Sequence, residues 1–486
     1  MATADEALGM VNRLAAELNR RRPAITARLD AYKGLHRLQF ASPEFSRYFE
    51  ERFRGFSDNW CAPVVAAPTE RMNYKGIRLG NGPVQADPDL ARVSKVNNVD
   101  AGSSKAFIVG LAAARMFSLV WGDPDDEQTP RIFWEHPSNC IVGYDPETGA
   151  EVAGLKLWNA DAYEYATLYL PDEVWKWQRR NGAGDSTAVR FYLPSTYRGG
   201  WEPRQSPADD TWPIPNPMGE VPLTEFRNQD LLDDEPISDI DGVLAMQSAI
   251  NLTWAYLLNA LDFASLPQRV VLGADIPKIP VLDNTGKVVG SRPLDLNTLP
   301  MERALWVPGE NAKIAEWKVA TLDGYGMAIE KAVEHVAAQT RTPPHYLIGK
   351  VANLSADALT AAETGLVTKA QERITYFSPP MRRTNRLVCL AQDNRAKADA
   401  CRSGTIIWRD IQFRSLAQKA DAYGKLKDIG FPFAWIAERW EDDPEEVARI
   451  ISMRRTEATE LAENMAASLA GTIPVGSDQN QPVDAG

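Results

Sequence analysis

The stretch from 236 to 377 constrains the fold most: it holds three long helical patterns, the first two separated by a short β-rich segment. The first, "PISDIDGVLAMQSAINLTWAYLLNALDFA", sets Ile240, Val243, Ile250, Trp254, Leu257 and Leu261 on one stripe, with Ser238 and Asp241 as its N-terminal cap. Gln247, Asn251 and Asn259 interrupt its apolar surface, so it reads as a packing helix. The second runs from Leu322 to Thr340, with Leu322, Tyr325, Ile329, Val333 and Val336 aligned. Residues 267–320 between them carry the runs "QRVVLGA", "VLDNTGKVVG", "RALWVPG" and "KIAEWKV", with "DNTG" at 283–286 as a hairpin tip. A helix pair tied by so small an insert cannot bury its stripes alone and needs further packing partners.

The third pattern follows the segment "TRTPPHYLIGKVANLSADALTAAETGL" at 340–366. Pro343 and Pro344 stop one helix by removing donors and restricting the residue before them, and Ser355 with Asp357 starts the next. The loop "HYLIGKVAN" therefore has pinned ends and a middle free to project. The new helix has the stripe Leu359, Ala362, Leu366, Ala370, Ile374 and Phe377. From Ser355 to Phe377 it is roughly 33 Å long. Pro379-Pro380 should kink or break it, with "MRRTNRLVCLAQDNRAK" resuming helically after them.

Before this block, residues 4–20 form an amphipathic helix with Leu8, Val11, Leu14 and Leu18 on one face. "NRRRP" at 19–23 is a basic cluster at its end, and Ser42-Pro43-Glu44 opens a further helix. From about 115 to 230, "RMFSLVW", "RIFWEH", "NCIVGYD", "EVAGLKLW", "YATLYL", "EVWKWQ" and "AVRFYL" have the spacing of an antiparallel meander. "WEPRQSPADDTWPIPNPMGEVPL" is too Pro-rich for regular structure and reads as an extended connector. Later, "TIIWRDIQF" is a strand, residues 415–467 are helical with a turn at "DIGFPF", and the tail from 471 is expected to be disordered.

Chemistry-bearing patterns are scarce. No GxxxxGK[ST], GxSxG or HExxH occurs, and four His (His36, His136, His335, His345) offer little material for a triad or metal site. Four scattered cysteines (Cys61, Cys140, Cys389, Cys401) read as buried thiols. "DPDD" at 123–126 and "LLDDEP" at 231–236 read as solvated turns or caps. No cofactor, metal or catalytic residue is expected, and this absence in 486 residues favours a structural or assembly protein. A net charge of −12 speaks against a broad duplex-gripping surface but does not exclude a protein that nucleic acid passes without being held. The N-terminus opens acidic without a signal-peptide core, and no run of about 18 apolar residues appears, so a soluble protein made in a cytoplasm is expected.

The order of elements resembles the portal proteins of tailed bacteriophages with long non-contractile tails. The resemblance is carried by "RLQFASPEFSRYFEERFRGFSDNWC" (38–61), "HPSNCIVGYDPETG" (136–149), "TLYLPDEVW" (167–175), "NPMGEVPLTEF" (216–226), "FASLPQRVVLG" (263–273) and above all 340–373. It implies an α+β portal fold assembled as a ring of about twelve copies at one capsid vertex. Residues 1–236 would form the wing, 237–265 and 321–341 the stem helices, and 266–320 the clip. Residues 342–354 would be the tunnel loop, 355–430 the long kinked helix and wing return, and 431–470 the crown. Implied partners are duplex viral DNA, the terminase large subunit, the head–tail adaptor, and major capsid and scaffolding proteins, with no membrane. The location implied is the virion, after assembly in the host bacterial cytoplasm. On this resemblance His345, Tyr346, Lys350 and Asn353 face DNA. Ile250, Trp254, Leu257, Leu261, Ile329 and Val333 pack the stem, and Asp283, Asn284, Lys287 and Trp306 serve the clip interface. Two alternatives stand beside it: a carbohydrate-binding or carbohydrate-active protein with a Trp-lined groove, and another head–tail structural protein.

Overall fold

A computed structural model describes residues 2–80, 86–180, 200–204, 211–232, 235–265, 269–272, 278–284, 286–293, 304–307, 313–316, 321–343, 346–347, 356–412, 416–441 and 444–470. The helices are α1 (Ala4–Tyr32), α2 (Pro43–Arg52), α3 (Cys61–Thr69), α4 (Pro88–Val96), α5 (Val99–Ala113), α6 (Leu244–Ser265), α7 (Asp323–Thr340), α8 (Ala356–Ala391), α9 (Arg395–Arg402), α10 (Leu416–Asp428), α11 (Phe433–Trp440) and α12 (Pro444–Ala470). The strands up to α6 are β1 (Tyr74–Arg78), β2 (Arg115–Trp121), β3 (Arg131–Glu135), β4 (Cys140–Tyr144), β5 (Glu151–Ala160), β6 (Tyr163–Tyr169), β7 (Glu173–Arg180), β8 (Glu202–Pro203), β9 (Ile214–Pro215) and β10 (Leu223–Arg227). After α6 come β11 (Arg269–Leu272), β12 (Lys278–Leu282), β13 (Val288–Pro293), β14 (Ala304–Val307), β15 (Lys313–Glu316) and, following α9, β16 (Thr405–Trp408). The α+β class expected from the sequence is what the chain adopts. "AVRFYL" (188–193), Ser355 and the tail from 471 lie outside the described residues.

The chain divides into two compact units. One comprises residues 1–25, 68–237 and 367–486, and the other residues 26–67 and 238–366.

In the first unit the β-rich region splits into two antiparallel sheets rather than one meander. β4-β5-β6-β7-β8 form one, with β9 on β7, and β10-β2-β3 form the other. The split arises because β2 pairs with a strand far along the chain, Phe117 facing Glu225, which leaves β4 free to start a new sheet. Leu8, Val11, Leu14 and Leu18 of α1 are all buried and pack with Ile141, Leu155, Leu157 and Trp177 of the larger sheet. At positions i and i+2 of β7, Trp175 and Trp177 share a face and stack at 6.2 Å, and Trp212 meets both edge-on at 4.8 and 4.9 Å. Trp175, Trp177 and Trp201 are buried, so these rings form core and offer no groove for sugar stacking.

Two helix ends differ from expectation. α1 continues through Pro23 to Tyr32, so "NRRRP" is mid-helix and not a terminal cluster. Its arginines are committed within the unit: Arg21 pairs with Glu17 and Glu235, and Arg22 Nε donates to the Ser138 carbonyl at 2.8 Å. α8 likewise runs unbroken through Pro379 and Pro380, whose missing N–H groups would otherwise reach Thr375 and Tyr376. Each proline costs roughly 3 kcal/mol in a helix interior. Against that, Phe377, Met381, Leu387 and Val388 are all buried, at about 1.5–3 kcal/mol each. Burial on both sides of the pair outweighs the two lost donors, and Ser378 Oγ donates to the Ile374 carbonyl at 2.6 Å just before it.

Candidate functional site

The second unit is built on α6 and α7, which pack side by side. A 3₁₀ turn, Asp241–Val243, precedes α6; Asp241 accepts from the Ser238 backbone at 2.9 Å and is clamped by Arg28 through two bonds of 2.8 Å. The polar residues of α6 have a specific use. Gln247 Oε1 accepts from the Trp60 N–H at 2.7 Å, Asn251 Oδ1 from the Asp58 N–H at 3.0 Å, and Trp254 Nε1 donates to Asp58 Oδ2 at 2.8 Å. Farther along, Arg52 of α2 donates to Asp262 at 2.7 Å, and Phe45 lies 5.2 Å from Tyr256. Residues 26–67 thus belong with the helix pair, whereas the sequence reading grouped them with the N-terminal block. α2 starts as expected, with the Phe45 N–H donating to Ser42 Oγ at 3.2 Å.

Of the proposed stem residues, Ile250, Ile329 and Val333 are buried, Trp254 and Leu257 are half-buried, and Leu261 is exposed. The small insert carries β14-β11-β15 in one sheet and β12-β13 in another, with β11 and β14 parallel. The "DNTG" tip is a hairpin: the Lys287 N–H donates to Asp283 Oδ1, the Asp283 N–H to the Lys287 carbonyl, each at 2.9 Å, and Gly286 takes φ +80°. Asp283, Asn284 and Lys287 are exposed there. Trp306 lies in β14, and its side chain is outside the described set.

α7 ends at Thr340, three residues before Pro343. Arg341 adopts the left-handed conformation (φ 53°), and the Thr342 N–H returns to the Ala337 carbonyl at 3.0 Å. The stop is a backbone motif that Pro343 then reinforces. Beyond it the Tyr346 N–H donates to the Pro343 carbonyl at 3.0 Å; Tyr346 is 38% exposed while Leu347 is buried. His345, Lys350 and Asn353 lie outside the described residues. On the far side of the loop, a Cβ placed at Gly365 of α8 would lie 3.6 Å from Arg341 Cβ, so α8 passes near the end of α7 there. The two ends of 342–364 are therefore close in space.

The first unit contains a second polar assembly that the sequence reading did not find. Arg115 of β2 is 5% exposed and bonds Glu225 of β10, itself 1% exposed, at 2.8 Å; Glu235 also pairs with Arg115. Tyr144 donates to Glu225 at 3.0 Å, and burial pushes its phenol well above the usual range. Burial also pulls the Arg115 guanidinium down against the pull of Glu225. Nearby, Arg383 and Arg386 of α8 both hold Glu220, at 3.1 and 3.0 Å, and Arg383 pairs with Glu151. The available sequence signal was "RRTNR", which puts Arg382 and Arg386 four apart on one helix face. Among the described residues no group of three His, Cys, Asp or Glu is arranged to hold a metal, and no helix is long and apolar enough to cross a membrane.

A family model described as "Phage portal protein, SPP1 Gp6-like" matches residues 11–460. The chain belongs to that family of phage portal proteins. It is 26% identical over 408 residues to the portal protein of Mycobacterium phage D29, covering 78% of this chain and 77% of that one. Identity to the portal protein of Mycobacterium phage L5 is 25% over 380 residues, covering 75% and 71%. Among solved structures, a chain of the virion of a native gene transfer agent particle is similar over 81% of this chain and 91% of its own, at 12% identity and TM-score 0.37. A chain from the neck of such a particle, computed with C12 symmetry, covers 82% and 93% at 10% identity and TM-score 0.41.

Proposed function

We propose that this protein forms a ring of about twelve copies at one vertex of a phage head. The ring is the channel through which a terminase drives duplex DNA into the capsid, through which the DNA later leaves, and on which the head–tail adaptor docks. The terminase large subunit and the major capsid and scaffolding proteins are its further partners. Its place is the virion, after assembly in the bacterial cytoplasm. It acts as a non-enzymatic conduit. The observation that carries this reading is the family match over 11–460 in a chain whose helix pair, α6 and α7, brackets a small β insert. Within it α6 and α7 act as the stem, 266–320 as the clip, 342–354 as the tunnel loop and 431–470 as the crown. The wing is drawn mainly from 1–236, and the long helix with its return to the wing from 355–430. The acidic balance suits a wall that DNA slides past, with Lys350 touching phosphates transiently beside His345, Tyr346 and Asn353. Electron microscopy of purified protein tests the proposal: closed rings of about twelve subunits are expected. A monomer at micromolar concentration would sink it.

A further inference from the structure

A cavity of about 550 Å³ in the first unit is lined by Arg382, Arg383 and Arg386 of α8, Arg402 at the end of α9, and the carboxylates of Glu151 and Glu220. Two of these guanidinium groups are fixed. Glu220 holds Arg383 and Arg386, the Val221 carbonyl accepts from Arg383 Nη2 at 2.9 Å, and Asp399 accepts from Arg386 at 3.0 Å. The other two are not. Arg382 gives a 3.3 Å bond to the Gly404 carbonyl, and Arg402 Nε lies 3.6 Å from Asp399 with its side chain 67% exposed. In addition, the buried Nε of Arg383 has no hydrogen-bond partner among the described residues.

Four guanidinium groups thus converge against three carboxylates in a chain whose net charge is −12, so the local excess runs against the overall balance. We propose that this cavity binds a phosphate group, with Arg382 and Arg402 contacting it and Arg383 and Arg386 positioned behind them by Glu220. A tetrahedral anion offers oxygens to several guanidinium forks at once, whereas a carboxylate fills one fork. The volume lies in the range of small-molecule sites and far exceeds what one carboxylate side chain occupies. Glu151 does not veto the anion: burial holds its carboxyl up at about 7, so near neutral pH part of the population is protonated and able to donate. The phosphate has two possible sources, a DNA backbone or a free phosphate compound. The inference does not rest on the ring.

Calorimetric titration of the full-length protein with inorganic pyrophosphate, in parallel with a short DNA duplex as competitor, tests this. Saturable pyrophosphate binding is expected, weakened about tenfold or more in Arg382→Gln/Arg402→Gln, whose side chains contribute little to the core. Pyrophosphate itself loses a proton between pH 6 and pH 8 and gains charge for the guanidinium groups, so the Glu151 effect is read as a difference: over that range the wild type should gain less affinity than Glu151→Gln. Competition by the duplex assigns the site to DNA phosphate; binding without competition assigns it to a free phosphate compound. No saturable binding by the wild type, or equal binding by wild type and the double variant, overturns the proposal. Micrographs of the same samples report ring formation separately.

Discussion

Glu151 sits at the start of β5 with its side chain 14% exposed, paired with Arg383. Burial is the largest influence on it, and Glu225 and Glu220 add to that; together they override Arg383 and raise the carboxyl from 4.5 to about 7. The folded state therefore keeps this proton over a pH range in which the unfolded chain releases it. Stability from this group is fully present below about 4.5 and is lost as pH rises through about 7. A shift of that size corresponds to a ceiling of about 3 kcal/mol. Glu151→Gln keeps the shape and removes the titration. Urea unfolding followed by Trp fluorescence, at pH 5 and pH 8 and one fixed protomer concentration, gives the two losses to compare. The wild type should lose roughly 2–3 kcal/mol more than the variant between these pH values. Equal losses would remove Glu151 as the cause. A variant less stable than wild type at pH 8 by roughly 2 kcal/mol would be worse for the argument, because the ionised pair with Arg383 would then be a net stabiliser.

Replacing Arg115 by Met leaves Glu225 buried without its guanidinium and should cost roughly 3–5 kcal/mol in urea unfolding. Adding Glu225→Leu should recover much of that, and a double variant no better than the single would discredit the stranded-charge account. Lys350→Glu should reduce packaged or retained DNA while rings stay intact; unchanged DNA content would drop Lys350 from the channel wall. Deleting 275–312 should abolish docking of motor or adaptor more than ring formation, and a deleted protein that still docks would refute the clip assignment.

What the sequence made legible was local. The stripe of α1, the Ser42 cap and the "DNTG" hairpin each depend on residues a few positions apart, and each appears where periodicity put it. What it hid was pairing at long range. Nothing near 117 announces that β2 pairs with a strand at 223–227, and nothing near 58–60 announces that Gln247 and Asn251 will satisfy that backbone. The Arg cavity was hidden for the same reason, since Glu151, Glu220 and Arg383 meet only in the folded chain. Proline was over-read: at Pro23 and Pro379-Pro380 the local rule predicted an end, and burial of the flanking side chains overrode it. The portal family was legible because its order of elements is carried along the whole chain.

The last helix sets a condition on the state in which this protein is ordered. From Ser452 through Ala466, α12 is exposed, with Met453, Leu461 and Met465 more than half open to solvent. The packed start of α12, where Val447 is buried, supplies its nucleus, and the exposed part beyond it has only its own propagation to hold it in water. Within the proposed ring, neighbouring copies would supply the apolar cover, and dilution below the assembly threshold would melt this arm while the two sheets of the first unit stayed folded.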